Sequence, residues 1–459
     1  MKMRTLWVIL CVVLFVSSCS GRKIEQYPVI GINDINDVGV YEDHSEVLLR
    51  WLKRDFKDVV LVNVDEHDDL RFIPEKKIHK LRKLVEERDW NGIASAHDRG
   101  AHSLFTLADF IYAAYRLGIV KKLYWVSPSG FLKWNELQKG AEELLRAFGY
   151  PERVIKTFKV ENGAVRGRIF GLEVVLTSLE NLPEIDEPVL FSIDVDYFYN
   201  SIKKQKKGEI DIFREFFKEL RNKKIHVMDI TVAYSVNGGY TPAVYRYLGD
   251  EILELLANPE MASKDNFPLL WRYRQQAMLA YFKGEIETAS KTLNEALEKF
   301  PQEPSLMAGM VAVLAIEGKH NRALKLLSSL IKQSPRYAYL GIYLGRSLSE
   351  KGALVPSLNY IKQFLKIHPN SYYGLMAYGD ALYNNAKDQQ AFEYYKRILS
   401  FYEDVNAYMY AADALFHLKR FQLARQFYHR ALLLLKEVGY RSLRDYPESV
   451  RNMRYLGMM

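Results

Sequence analysis

The chain has 459 residues, 49% of them hydrophobic and 26% charged, which excludes a disordered or low-complexity protein and exceeds what one ordinary core holds. Its formal charge of +8 is uneven: residues 261–459 carry 27 Lys and Arg against 17 Asp and Glu, an excess of +10, and the first 260 residues carry 37 against 39. That excess is spread out, without Lys/Arg runs, so no nucleic-acid partner is expected.

The chain opens on MKMRTLWVILCVVLFVSSCS, with basic Lys2 and Arg4, an apolar stretch from Leu6 to Val16, and then Ser17, Ser18 and Cys19. The stretch is shorter than the roughly 20 residues a spanning helix needs. The pattern resembles the bacterial lipoprotein signal, in which small residues precede a cysteine that is lipidated and becomes the mature N-terminus; the alternative is an uncleaved signal anchor with Cys19 a buried thiol. The resemblance implies a signal segment over 1–19, a lipidated Cys19 carrying palmitate-type chains, and a protein anchored to a membrane of the bacterial cell envelope, facing the periplasm. The only other cysteine is Cys11, so processing would leave one and no disulfide is expected.

From 20 to 257, apolar runs of strand character (27–32, 58–64, 122–127, 188–195, 225–233) alternate with helical patterns near 45–56, 75–88, 103–118, 132–147, 210–222 and 242–257. Such alternation predicts an α/β three-layer domain, a parallel sheet with helices on both faces. Ligands of such sheets bind beyond the carboxyl ends of the strands. The polar residues fall there: VVLVNV runs into Asp65, and PVLFSI runs into Asp194.

Three motifs follow in order: Asp43, His44, Ser45 in VYEDHSEVL; Asp65, His67, Asp69 in LVNVDEHDDLRF; and Asp194, Asp196 in FSIDVDYF. Alone, the second reads equally as a solvated acidic turn. Carboxylates mixed with imidazoles suit a divalent transition metal, Mn²⁺, Zn²⁺ or Fe²⁺, better than Ca²⁺, which prefers oxygen ligands alone.

On these DHS, DxHxD and DxD signatures, residues 27–258 resemble the arginase/deacetylase superfamily, more narrowly an uncharacterised group of arginase-like domains. The resemblance implies one metal held by His44, Asp65, Asp69 and Asp194 and a second by Asp65, His67, Asp194 and Asp196, with Asp65 and Asp194 bridging two Mn or Zn ions. It also implies hydrolysis of an amide, amidine or guanidine carbon. The segment HVMDITVAYSVNGGYTPAV lacks the glutamate that recognises guanidinium in arginases, which disfavours guanidine chemistry. The same segment offers Gly238, Gly239 and Tyr240, similar to the glycine-rich Tyr motif of deacetylases, whose hydroxyl meets the developing oxyanion; the alternative is a glycine turn with Tyr240 packed on a helix. His97 and His102 are candidates for a general base or a substrate contact. Glu66 and Asp68 read as spacers, solvated or supporting the ligands.

The segment 258–267, with Pro259 and Pro268 about it, reads as a linker. Beyond it, Ala289, Ala323, Ser357, Ala391 and Ala424 recur at intervals of 34, 34, 34 and 33, and Ala296, Leu330, Phe364, Ile398 and Ala431 follow seven positions later. Gly284, Gly318 and Gly352 precede three of the small residues by five, and Pro301, Pro335 and Pro369 close three units. This resembles five tetratricopeptide repeats over 268–438, an all-α solenoid with a capping segment at 439–459. Such an array implies a concave groove for a protein or peptide partner; tyrosines such as Tyr339, Tyr343, Tyr372, Tyr373, Tyr378, Tyr383, Tyr408 and Tyr410 suit its lining, about half of them packing between helices instead. The expectation is an exported metallohydrolase of a non-peptide C–N bond, deacetylase-like more than guanidine hydrolase, with a docking domain. The rival is a non-catalytic interaction lipoprotein in which the repeats carry the function.

Overall fold

The computed structural model describes residues 24–97, 103–128, 136–438 and 443–459. The signal segment, with Cys11 and Cys19, lies outside the described residues. Eight strands make one sheet: β1 Val38–Tyr41, β2 Val59–Val64, β3 Val120–Val126, β4 Lys159–Glu161, β5 Ala164–Ile169, β6 Leu172–Thr177, β7 Val189–Asp194 and β8 Val227–Ala233. Their order is β1-β8-β7-β2-β3-β6-β5-β4. The first six in that order run parallel, and β5 and β4 extend the sheet antiparallel.

All six residues of β2 are buried, as expected of a strand covered on both faces. The pleat sends Val60, Val62 and Val64 into one core with Phe213, Phe217 and Leu248, and Val59 and Leu61 into the other with Trp51, Ile78 and Phe110. An α/β sheet domain followed by a helical repeat array is therefore the architecture, as the alternating periods indicated.

Two segments differ from expectation. Residues 27–32 form no strand: Pro28 and Gly31, at φ 79°, bend the chain, and Val29 makes an isolated bridge to His226. The edge position is taken by β1, whose four residues are too short to show a period. Of 103–118, only Phe110–Arg116 is helical, because the Asp109 side chain accepts from the Thr106 N–H and ends a turn there. Strands β4 to β6 were unforeseen, yet both connections have left-handed pairs suited to tight hairpins: Asn162 and Gly163 at φ 49° and 78°, Phe170 and Gly171 at 48° and 96°.

Ten helices follow: α1 Leu269–Phe282, α2 Ile286–Lys299, α3 Pro304–Ile316, α4 His320–Gln333, α5 Tyr339–Glu350, α6 Leu354–Ile367, α7 Tyr372–Tyr383, α8 Asp388–Leu399, α9 Val405–His417 and α10 Phe421–Val438. Every small residue of the 34-residue series is fully buried, as is every residue seven positions on. Small side chains there let paired helices approach: a Cβ on Gly341 of α5 would meet the Tyr360 carbonyl of α6 at 2.5 Å. Gly284, Gly318 and Gly352 end α1, α3 and α5 at φ of 74–76°, and Ala386 and Lys419 hold the same left-handed position after α7 and α9. The helix Pro447–Tyr455 lies against α9, where buried Asp413 accepts from Tyr428, Ser449 and Asn452.

One apolar cluster runs from the β7/β8 face of the sheet into the repeats. Phe213, on the helix Glu209–Lys223, packs on Trp271 of α1 at 6.1 Å between ring centroids. Beside it, Arg274 is 7% exposed and pairs with Glu251 at 2.7 Å, donates to Ser305 and stacks over Tyr247. Removing one member of such a buried pair strands the other's charge, so Arg274→Ala should cost about 3–5 kcal/mol in chemical denaturation. The helix ends supply an opposite prediction. Nothing lies within 4 Å of a Cβ built on Gly284, Gly318 or Gly352, so only backbone strain matters there. Ala386→Gly and Lys419→Gly should each stabilise by about 1 kcal/mol, and Gly318→Ala should destabilise by a similar amount; unchanged denaturation midpoints would contradict this.

Candidate metal centre

Neighbours β1, β8, β7 and β2 are parallel, so their carboxyl ends open on one edge, and each delivers polar side chains there. After β1, Asp43 caps a 3₁₀ turn (His44–Glu46) by accepting from the Ser45 N–H and hydroxyl, which turns His44 inward. Asp65 follows β2 and its Oδ1 accepts the His67 N–H at 2.7 Å, an Asx-type turn; Asp69 sits at φ 46°. Asp194 ends β7 and accepts the Asp196 N–H at 2.9 Å, fixing both carboxylates as the helix Asp196–Gln205 begins.

His44, Asp65, Asp69, Asp194 and Asp196 are all at least 95% buried. His44 Nδ1 stands 3.0 Å from Asp69 Oδ2 and 3.2 Å from both Asp65 Oδ2 and Asp194 Oδ2. It nevertheless makes no hydrogen bond to any of them. Its other nitrogen, Nε2, is 2.8 Å from Ser192 Oγ, which in turn accepts from Thr231. Half-buried His67 brings Nδ1 to 2.7 Å from Asp196 Oδ2 and 3.7 Å from Asp65 Oδ1. Two groups result whose donor atoms lie within 4.8 Å of one another, His44 with Asp65 and Asp69, and Asp65 with His67 and Asp196. Asp65 belongs to both. Asp194 stands with the first.

Four carboxylates and two imidazoles in so small a volume leave a charge of −2 even with both rings protonated. Burial alone would lower the His44 pKa, but Asp194, Asp65 and Asp69 outweigh it and hold it well above its usual range. Burial likewise opposes, and Asp196 and Asp65 overcome, the rise at His67. Burial and the charge of Asp65 push Asp69 up; burial and the charges of Asp194 and Asp65 push Asp196 up. These shifts favour protons on His44, His67, Asp69 and Asp196, where a cation would supply the same positive charge. A nitrogen lone pair surrounded by carboxylate oxygens, with the far ring nitrogen held by a hydroxyl, has the donor chemistry of a divalent transition-metal site.

Several supporting residues were not foreseen. Ser235, at φ 51° beyond β8, donates to Asp194 Oδ2; Asn63 donates to Asp65 Oδ2 at 3.1 Å; Trp125 donates to the Asp65 carbonyl. Their sequence signal was faint, single polar residues inside apolar strands (Asn63, Ser192) or just past one (Ser235). Of the two spacers, Glu66 pairs with Lys204 at 2.7 Å, and Asp68 is buried, accepting from Tyr150 at 2.6 Å.

The cluster floors a cavity of about 220 Å³ walled by Leu107, Phe148, Arg71, Gly238 and Tyr240. Tyr240 sets its ring edge-on to His67 at 4.8 Å. Arg71 donates to the Phe148 carbonyl and lies over the Phe148 and Tyr150 rings. Glu42 also lines the cavity, but its carboxylate is tied to Arg246. His97 is not on this lining; its Nδ1 is 3.2 Å from Ser45 Oγ. His102 lies outside the described residues.

Comparison with known proteins bears on the repeat half. Residues 245–403 and 398–437 match two family models, both described as tetratricopeptide repeat. Among solved structures, MamA (41-end) from Desulfovibrio magneticus RS-1 is similar at 16% identity and a TM-score of 0.28, covering 36% of this chain and 94% of its own. TTC0263, a thermophilic tetratricopeptide-repeat protein of Thermus thermophilus, is similar at 18% identity and a TM-score of 0.25, covering 41% of this chain and 100% of its own. No curated protein matches the chain.

The charge balance predicts how the metal-free protein titrates. Asp69 and Asp196 with raised pKa values, and histidines with raised ones, stabilise the fold at low pH and lose that contribution as pH rises through the folded-state values. In chelator, the melting temperature should therefore fall from pH 5 to pH 8, and Asp69→Asn should flatten the slope. A chelated protein that grows more stable over that range would contradict the assignment.

Proposed function

We propose that the sheet domain is an arginase-like metal site, holding one or two Mn or Zn ions and hydrolysing a non-peptide C–N bond of amide or amidine type. The repeat array, whose family points to protein interaction, docks a protein or peptide partner. The observation that carries the first part is His44 Nδ1, buried among three carboxylate oxygens with no hydrogen bond of its own. His44, Asp65, Asp69 and Asp194 would hold one ion, and Asp65, His67, Asp194 and Asp196 the second. Bound there, such ions supply Lewis-acid polarisation of the scissile group and make water a competent nucleophile near neutral pH.

The chain's own residues take the remaining roles. Ser235, Asn63 and Ser192 orient the ligands through the hydrogen bonds described above. Tyr240, on the cavity wall beside His67, presents the hydroxyl that would donate to a developing oxyanion. Leu107 and Phe148 exclude water, and Arg71, paired with buried Asp68, closes the cavity's edge. His97 acts on Ser45 rather than directly on a substrate; His102 keeps its candidacy as a general base. Deacetylase-like chemistry is favoured over guanidine hydrolysis because the residues past β8 that line the cavity are Ser235, Gly238 and Tyr240, with no glutamate among them.

Placement on a membrane follows from the resemblance at Cys19. The described chain begins at Ile24, and the Tyr27 carbonyl accepts from His226 Nδ1, at the amino end of β8, at 2.9 Å. A lipid on Cys19, five residues before Ile24, would hold Ile24 within about 18 Å of the bilayer surface. The cavity lies on the opposite, carboxyl edge of the sheet. No helix among the described residues is long and apolar enough to cross a membrane.

A second reading, a scaffold lipoprotein whose sheet domain does no chemistry, is favoured by the repeat match over residues 245–437. Elemental analysis of chelator-free protein separates the two: the hydrolase reading requires one or two transition-metal ions per chain, lost together in Asp65→Ala. Protein without transition metal, or full retention in that variant, would refute it. On an acyl-amide and amidine panel, Tyr240→Phe should retain metal and lower kcat about 10²–10³-fold.

A further inference from the structure

The loop after β8 has two faces. Ser235, Gly238 and Tyr240 look onto the metal cavity, and Val236, Asn237, Gly239 and Thr241 line a second cavity of about 330 Å³. The far wall of the second cavity belongs to the repeats: Tyr339, Tyr343 and Arg346 of α5, and Tyr373 of α7. The loop is pinned at both ends. Tyr234 and Ser235 donate their backbone N–H groups to the carbonyls of Tyr41 and Glu42, and Arg246 grips the Glu42 carboxylate. The turn that follows, Ala243–Tyr245, packs on α3 and α5. Between the pins, Gly239 at φ 81° carries no side chain, so the Arg346 guanidinium comes within 4.0 Å of where a Cβ would stand.

Three features of the second cavity call for a ligand. Arg346 is exposed, and although buried Asp380 feels its charge, no carboxylate among the described residues comes within ion-pair distance of it. Thr241 is fully buried on the lining with its Oγ1 lacking a hydrogen-bond partner. The tyrosines give broad apolar faces with polar tips. Glu350 is the other charged residue on the lining, one turn further along α5, and suits the N–H groups of an extended chain. The repeat half's excess of +10 complements a negatively charged partner.

We propose that this junction cavity binds an acidic, extended peptide, one of whose carboxylates pairs with Arg346, and that its occupancy shifts the loop that carries Ser235 and Tyr240. The repeat groove would then regulate the metal site it abuts. The second half rests on the metal reading above; the first half does not.

Two measurements on the full chain test the two halves separately. Fluorescence anisotropy compares a labelled pool of random heptapeptides rich in Asp, Glu and Tyr with a matched pool carrying Asn and Gln. The acidic pool should bind at least about tenfold tighter. Arg346→Gln should erase that preference and Arg346→Lys should keep part of it. Equal binding of the pools, no binding, or an unaffected Arg346→Gln variant overturns the peptide site. Protein loaded with Co²⁺ then reports on the metal cavity by its visible absorption. The acidic pool should shift that spectrum in wild type and not in Arg346→Gln. Peptide binding with an unchanged Co²⁺ spectrum overturns the coupling alone, and failure to take up Co²⁺ refutes the metal reading, and with it the coupling, while the anisotropy result still decides the site.

Discussion

Everything distinctive about the sheet domain depends on one electrostatic constraint: four buried carboxylates and a buried histidine share the carboxyl edge of four adjacent parallel strands. Charges so placed are costly unless something positive joins them. The fold meets part of that cost with protons and hydrogen bonds, through Ser235 on Asp194, Asn63 on Asp65 and Ser192 on His44. It leaves His44 Nδ1 unanswered. A site evolved only for stability would be expected to replace such a group with apolar side chains of similar volume, which often cost nothing or stabilise. That unmet cost is the physical ground for proposing a cation.

Much of this was legible from the residues alone. The 34-residue recurrence identified helix pairs whose small residues are fully buried, because only close helix approach demands Ala or Ser at a fixed interval. The strands ending in Asp65 and Asp194 announced the site edge through their unbroken apolar runs. The supporting shell was not legible: Asn63, Ser192 and Ser235 meet Asp65, His44 and Asp194 only when β2, β7 and β8 lie side by side, a pairing that no local pattern encodes. The run at 27–32 had strand composition but not strand conformation, since Pro28 and Gly31 set its path. Asp68 read as a spacer, yet the Tyr150 hydroxyl, 82 residues away in the chain, meets it in the interior.

The two halves are joined by more than a linker. Their apolar clusters are continuous, and Arg274 fixes α1 to Glu251 within that junction. Such a contact gives the repeats a defined position relative to the site, which a flexible tether would not. The loop from Ser235 to Thr241 is where that arrangement matters most, because a single short segment walls both the cavity over the carboxylate cluster and the first part of the repeat surface. A partner held by the repeats would have direct physical access to the conformation of Tyr240.

On the reading proposed above, a transition metal would sit between His44, Asp65, Asp69 and Asp194. Anomalous X-ray diffraction from crystals grown without chelator, recorded on either side of the manganese and zinc absorption edges, tests it most directly. An edge-specific peak is expected within bonding distance of His44 Nδ1 and the Asp65 carboxylate. A map without such a peak, in which Nδ1 instead donates a well-formed hydrogen bond to one of the three aspartates, would contradict it.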